Sequence, residues 1–375
     1  MDDRIGFLDS FRGVLCLSVM ITHNGIGKQT IPGFYFGVVG FFILSSFLLT
    51  YRLIKQYENA KTVQMFIRIT INYFIMRFFR IYIPYIVYCI LTVKVFNNSR
   101  ITTNHTMYEL ITLKNFKQIN HIWTMPIEIN FYFFVPSIAL IFSLIYKKTL
   151  LVWSLFLINC ISLILIRKFR LFSIGSFQDV AIFQTYLPIF LIGSTLSIVY
   201  INFQQSKWIL EYLNQSKQMN SLLSLIFFSI FIFICRIQGY ITLIRDDAFI
   251  YSAFISILIL IMLISPSNYF NQTLLKLKIF NLYGKYSYGT YLFHINCNLF
   301  TRRKLYRLLE SDRSIIFLAI SLIAGILFFY IVENNSIRVA KFFMNQVNNG
   351  FSPSKERKLF DNEKSKINGS KNERS

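Results

Sequence analysis

Gly37-Val38-Val39-Gly40-Phe41-Phe42-Ile43-Leu44-Ser45-Ser46-Phe47-Leu48 lies inside an apolar run, 33–52, that meets no charge before Arg52. About 20 apolar residues in succession is the length at which a helix crosses the hydrocarbon core of a bilayer. Outward from this run the pattern repeats. Ten runs are read, at about 7–24, 33–52, 80–97, 122–146, 149–166, 180–201, 220–236, 247–265, 286–301 and 314–332. The expected fold is all-α, a multi-pass transmembrane helical bundle of about ten spans. The polar, Lys-, Asn- and Ser-rich end lacks hydrophobic periodicity. A membrane-embedded domain over 1–340 is therefore expected to precede a basic, disordered cytoplasmic tail, 341–375.

Composition agrees. The 375 residues are 54% hydrophobic and include 41 Phe, against about 45–50% apolar content in soluble domains. The first run does not read as a cleavable signal peptide, since it follows Met1-Asp2-Asp3-Arg4 and contains Arg12. A formal charge of +22 invites a nucleic-acid partner. Yet the Lys and Arg residues sit mainly between apolar runs and in the tail, as membrane orientation and anionic lipid require, and no nucleic-acid recognition module is visible. Six of them, Arg52, Lys55, Lys61, Arg68, Arg77 and Arg80, fall in an expected internal loop, 52–80. With an even number of spans, this bias puts both termini in the cytoplasm and the loop around 98–120 outside. The basic stretch 302–313 runs the other way. Asn97 and Asn104 head glycosylation sequons in the outer loop. Cys16, Cys89, Cys160, Cys235 and Cys297 have no paired spacing, so buried thiols are expected rather than disulfides or a metal site.

The first run, Arg12-Gly13-Val14-Leu15-Cys16-Leu17-Ser18-Val19-Met20-Ile21-Thr22-His23, carries a cation and a titratable group eleven positions apart. Both are expensive in a membrane helix and need a reason. On a helix, eleven steps of about 100° bring the two side chains within ~20° of one face, roughly 16 Å apart along the axis. A cation near one surface and a base near the other suit a long anionic substrate with a reactive end. Asp9, one turn before Arg12, is placed to pair with it. The bland alternatives are a snorkelling Arg12 and an interfacial His23.

Four further segments follow in order. Phe41-Phe42-Ile43-Leu44-Ser45-Ser46-Phe47 lies in the second run, Arg77-Phe78-Phe79-Arg80 before the third, and Trp123-Thr124-Met125-Pro126-Ile127-Glu128-Ile129-Asn130-Phe131-Tyr132 at the start of the fourth. The ninth run contains Ser287-Tyr288-Gly289-Thr290-Tyr291-Leu292-Phe293-His294. Together with the Arg12/His23 pair, these resemble the acyltransferase type 3 family of integral membrane acyltransferases, over about residues 4–340. Two departures stand out: Ser46 occupies a position where the family usually has glycine, and Glu333 is not followed by the common proline.

The resemblance implies transfer of an acyl group, often acetyl, from cytoplasmic acyl-CoA to a hydroxyl of a carbohydrate or lipid-like acceptor. No metal is implied. The residue chemistry fits. CoA phosphates need cations, and Arg12, Arg77 and Arg80 offer forked donors where Lys would be a point charge. The pantetheine arm, about 15–20 Å long by extended-chain dimensions, matches the Arg12–His23 separation. His23 is then the expected general base. Glu128, entering from the outer side with Pro126 at the start of its helix, is expected to orient the imidazole. Tyr132, one turn deeper, is a candidate donor. Trp123 belongs to the same segment, and His294 reads equally as an interhelical hydrogen-bonding group or a catalytic part. Arg77 and Arg80 also read as a positively charged inner flank, and Ser45 and Ser46 as packing rather than nucleophiles.

A transporter would also place charges in its membrane helices, but it predicts inverted repeats and paired broken helices, and neither is visible. A catalytically inactive relative acting as a binding protein is the other rival, against which the retained Arg12, His23 and Glu128 argue.

Overall fold

The computed structural model describes residues 6–24, 36–94, 121–169, 179–206, 211–213, 215–240, 248–265, 272 and 275–351. Among the described residues every regular element is helical. The elements are α1 (Gly6–Asn24), α2 (Phe36–Glu58), α3 (Val63–Arg77), α4 (Ile83–Lys94), α5 (Thr124–Ile145), α6 (Thr149–Phe169) and α7 (Asp179–Gln205). Then come α8 (Lys217–Tyr240), α9 (Ala248–Ile264), α10 (Lys278–Lys285), α11 (Ser287–Lys304), α12 (Glu310–Phe328) and α13 (Asn334–Gly350). Two π turns, Phe78–Tyr82 and Phe329–Glu333, join α3 to α4 and α12 to α13.

Among the described residues, each expected apolar run overlaps a helix. Among the described residues, five stretches are long and apolar enough to cross a membrane by length and composition: Phe36–Glu58, Val63–Thr92, Thr124–Ile145, Tyr186–Gln205 and Glu310–Gly350. Three shorter apolar helices accompany them. The protein is an all-helical membrane bundle, and five spans rather than ten meet those measures. α1 and α11 are not among the five, and they are the helices that carry Arg12, His23 and His294.

α2 is the hub, packed on α1, α5, α7 and α9. Lipid offers helices no hydrophobic reward for associating, so close contact depends on small residues. Gly193 on α7 shows this. A Cβ there would overlap Ser46 Oγ and crowd the Ile43 carbonyl. Ser46 is fully buried and donates to Ile43 O at 3.0 Å. The side chain that Ser46 brings in place of glycine is thus received by a glycine on the facing helix. α1 and α10 meet backbone to backbone: a Cβ on Gly13 would overlap the Phe280 carbonyl, and one on Gly284 the Asp9 carbonyl.

Prolines inside helices free carbonyls that must find other donors away from water. Pro136 in α5 cannot bond to the carbonyl of Tyr132, and that oxygen instead accepts from Tyr73 Oη at 3.1 Å. Pro84 follows the first π turn, where the ladder widens and Ile81 O accepts from Tyr288 Oη at 2.7 Å. Phe79 O accepts from Ser336 Oγ.

Three expectations change. The segment 52–80 is not a loop throughout: Thr62 accepts from Met65 N–H as an N-cap, and helix runs from Val63 to Thr92. Arg77 and Arg80 therefore lie midway along a helical run, not at its mouth. The chain beyond 340 remains helical to Gly350, tied to α3 through Asn72 Nδ2–Asn348 Oδ1 at 2.9 Å and stacked through Phe79 on Phe343. Asp9 and Arg12 form no ion pair; among the described residues the ion pair found is Lys55–Glu58 at 3.7 Å. The loop around 98–120 with its sequons and residues 352–375 lie outside the described residues. Cys16, Cys89, Cys160 and Cys297 are free thiols.

Candidate active site

α1, α2, α5, α11 and both π turns enclose a cavity of ≈ 230 Å³. Arg12, Arg52, Arg77, Arg80 and Lys285 line it, against the carboxyls of Asp9, Glu128 and Glu333. Five cations facing three acids leave a positive excess, the electrostatics of an anion site. The π turns explain how long helices aim these groups at one space. The first carries Arg80 and Ile81 and the second Phe329 and Glu333, and all four line the cavity. Single π turns within α-helices are frequent at functional sites.

Arg77 Nε is buried without a hydrogen-bond partner among the described residues, a donor whose desolvation is costly unless an acceptor meets it. Glu333, 5% exposed, feels the charges of Arg80 and Arg12. Glu128 is anchored from two helices: its Oε1 accepts from Ser45 Oγ at 2.6 Å and from Tyr132 Oη at 2.7 Å. Its helix begins at Thr124, which puts Pro126 third in the first turn, where a missing N–H still costs nothing.

A second constellation lies outside this cavity. His23 and His294 have ring centroids 5.0 Å apart, and His294 and His121 also 5.0 Å. Three of the chain's four histidines thus meet around His294, which is wholly buried, whereas His23 is exposed. The end of α1 is fixed there by α11. The last carbonyls of a helix lack partners of their own, and those of His23 and Asn24 accept from Asn298 Nδ2 and Arg302, each at 2.8 Å. Arg302, which counted against the expected topology, is a helix cap.

Tyr291 stands between the two groups. It lines the cavity, its ring lies 5.4 Å from that of His294, and its hydroxyl donates to His121 O at 2.6 Å while meeting Thr124 Oγ1 at 2.9 Å.

The structure therefore brings Asp9, Arg12, Ser45, Arg77, Arg80, Glu128 and Tyr132 together. It joins His23 to His294, with no hydrogen bond between His23 and Glu128. Trp123 does not line the cavity; its ring packs 6.4 Å from Phe42 and 5.3 Å from Tyr186. Sequence reasoning missed Arg52, Lys285, Glu333 and His121. The available signal for His121 was the scarcity of histidine itself. Among the described residues, no His, Cys, Asp and Glu side chains converge as a metal site.

A helical membrane bundle with a cation-lined chamber beside an imidazole cluster is the class that these features define. Residues 5–334 match the acyltransferase domain family, and the chain belongs to it, as its five sequence segments indicated. O-acetyltransferase OatA of Staphylococcus aureus (strain NCTC 8325 / PS 47) is 22% identical over 311 residues, covering 76% of this chain and 49% of the relative. A Staphylococcus aureus (strain COL) protein whose name carries a provisional O-acetyltransferase assignment is 24% identical over 314 residues, with the same coverage. The chain thus spans about half the length of the curated relatives it matches. No solved structure matches it.

Proposed function

We propose that the protein transfers an acyl group, acetyl in the first instance, from acyl-CoA to a hydroxyl of a carbohydrate or lipid-like acceptor, with His23 as general base. The observation that carries this reading is the convergence of Arg12, Arg77 and Arg80 on one cavity, with a buried and unpartnered Arg77 Nε. Guanidinium groups match phosphate oxygens in fork geometry, so a CoA diphosphate supplies the acceptor that Arg77 Nε lacks. At ≈ 230 Å³ the cavity is below the ~300–1,000 Å³ that encloses a drug-sized ligand. It admits the diphosphate and the start of the arm, not all of CoA.

The arm then runs along α1 past Tyr291. With roughly 16 Å between Arg12 and His23 along the axis and a pantetheine of about 15–20 Å, the thioester arrives at His23. There the imidazole takes the acceptor's proton as its oxygen attacks the thioester carbon. The carbon–sulfur bond breaks, the ester forms, and the imidazolium returns the proton to the departing thiolate. Glu128 serves the chamber rather than the imidazole. With Oε1 occupied by Ser45 and Tyr132, its carboxylate is placed to accept from the amide N–H groups of the arm. Both termini are cytoplasmic in this reading, so the chamber faces the donor pool; external accessibility of a tag at either terminus would overturn that orientation.

The test is incubation of the purified chain in vesicles with acetyl-labelled acetyl-CoA and host glycan and lipid extracts. Label in an alkali-labile ester of a glycan or lipid supports the reading. Acetyl-CoA left unconsumed with every extract contradicts it.

A further inference from the structure

We infer that His294 is the positioning residue for His23, the role that a carboxylate fills in Ser-His-Asp enzymes. The inference deepens the proposed function and rests on His23 being the base. His294 Nδ1 lies 2.5 Å from Tyr291 O. A carbonyl oxygen only accepts, so Nδ1 carries the hydrogen and Nε2 is left as a bare lone pair. That Nε2 is buried and has no partner among the described residues. An unpaired polar atom in an apolar site is costly and marks a missing interaction.

The neighbours narrow the donor. Among the described residues, the titratable groups facing His294 are His23 from α1, His121 before α5, and Tyr291 on its own helix; Tyr88 from α4 stands behind His121. Tyr291 is spent on His121 O and Thr124. His121 Nε2 lies 2.9 Å from Leu292 O, so it too carries its hydrogen there, and its Nδ1 is a second bare acceptor. His23 is left as the ring with a hydrogen to give, and with the two ring centroids 5.0 Å apart an N–H of His23 turned to His294 Nε2 supplies the missing donor. The other His23 nitrogen is then the unprotonated one, turned to the acceptor hydroxyl. When His23 takes the proton, the same bond stabilises the imidazolium.

The experiment compares His294→Ala, His294→Gln and wild type in nanodiscs, reading acetyl transfer from acetyl-CoA to host extract and the His23 tautomer by ¹⁵N imidazole NMR. Expected for His294→Ala are a transfer rate at least about ten-fold lower, an apparent KM for acetyl-CoA within about two-fold, and a His23 ring in mixed tautomers. His294→Gln, whose amide oxygen can accept the His23 N–H, restores part of the rate and one dominant tautomer. An unchanged His23 tautomer in His294→Ala overturns the inference, whatever the rate. So does a Gln variant no better than Ala in both readouts. Full transfer by His23→Ala would instead overturn the base assignment.

Discussion

Ser45 Oγ donates to Glu128 Oε1 across 2.6 Å, joining α2 to α5 at the chamber wall. Tyr132 Oη donates to the same oxygen at 2.7 Å. The half-buried carboxylate thus receives one hydroxyl from its own helix and one from the hub.

Removing one hydroxyl leaves the other, while removing both strands the carboxylate. Ser45→Ala and Tyr132→Phe should each lower stability by about 1–2 kcal/mol, and the double variant by more than the sum. Thermal unfolding midpoints of the four proteins in one detergent check this. Strict additivity would mean that the two donors act independently.

Glu128 lies near the outer start of the fourth apolar run, which in the sequence suggests the depth of His23. The structure puts His121 at the depth of the His294 cluster and Glu128 in the chamber beyond Thr124. Hydropathy locates a run but not the layer in which its first residues lie. Arg77 and Arg80 misled in a similar way. Guanidiniums look like flanks, and the apolar run alone begins near 80, whereas Val63 to Thr92 is one helical run with a π turn at its middle. What was legible was the helical class and the gathering of Arg12, Arg77 and Arg80, which line one cavity; the part of Ser45 and the place of Glu128 were not. Lys285, Arg52 and Glu333 reach the chamber only through tertiary packing, which no local pattern announces.

Arg77→Lys and Arg80→Lys keep the charge and lose the fork. Each should weaken acetyl-CoA binding by about ten-fold, read by equilibrium binding to protein in nanodiscs. Unchanged affinity in both would leave these arginines as an inner basic flank.

The α1–α10 contact makes a steric prediction. Gly13→Ala and Gly284→Ala set a methyl into a backbone carbonyl of the facing helix and should each cost about 1–3 kcal/mol, seen as a lower unfolding midpoint. Gly350→Ala, where a Cβ meets nothing within 4 Å, should leave it unchanged. Equal midpoints for all three would mean that α1 and α10 lie farther apart than described.

The central claim is that donor binding belongs to the arginine chamber and chemistry to His23. The direct measurement is acetyl-CoA affinity and acetyl transfer for His23→Ala, side by side with wild type in the same vesicles. The account predicts affinity within a few-fold of wild type and transfer lower by about 10²–10⁴-fold, the usual loss of a general base. Near wild-type transfer by a correctly inserted His23→Ala protein would contradict it.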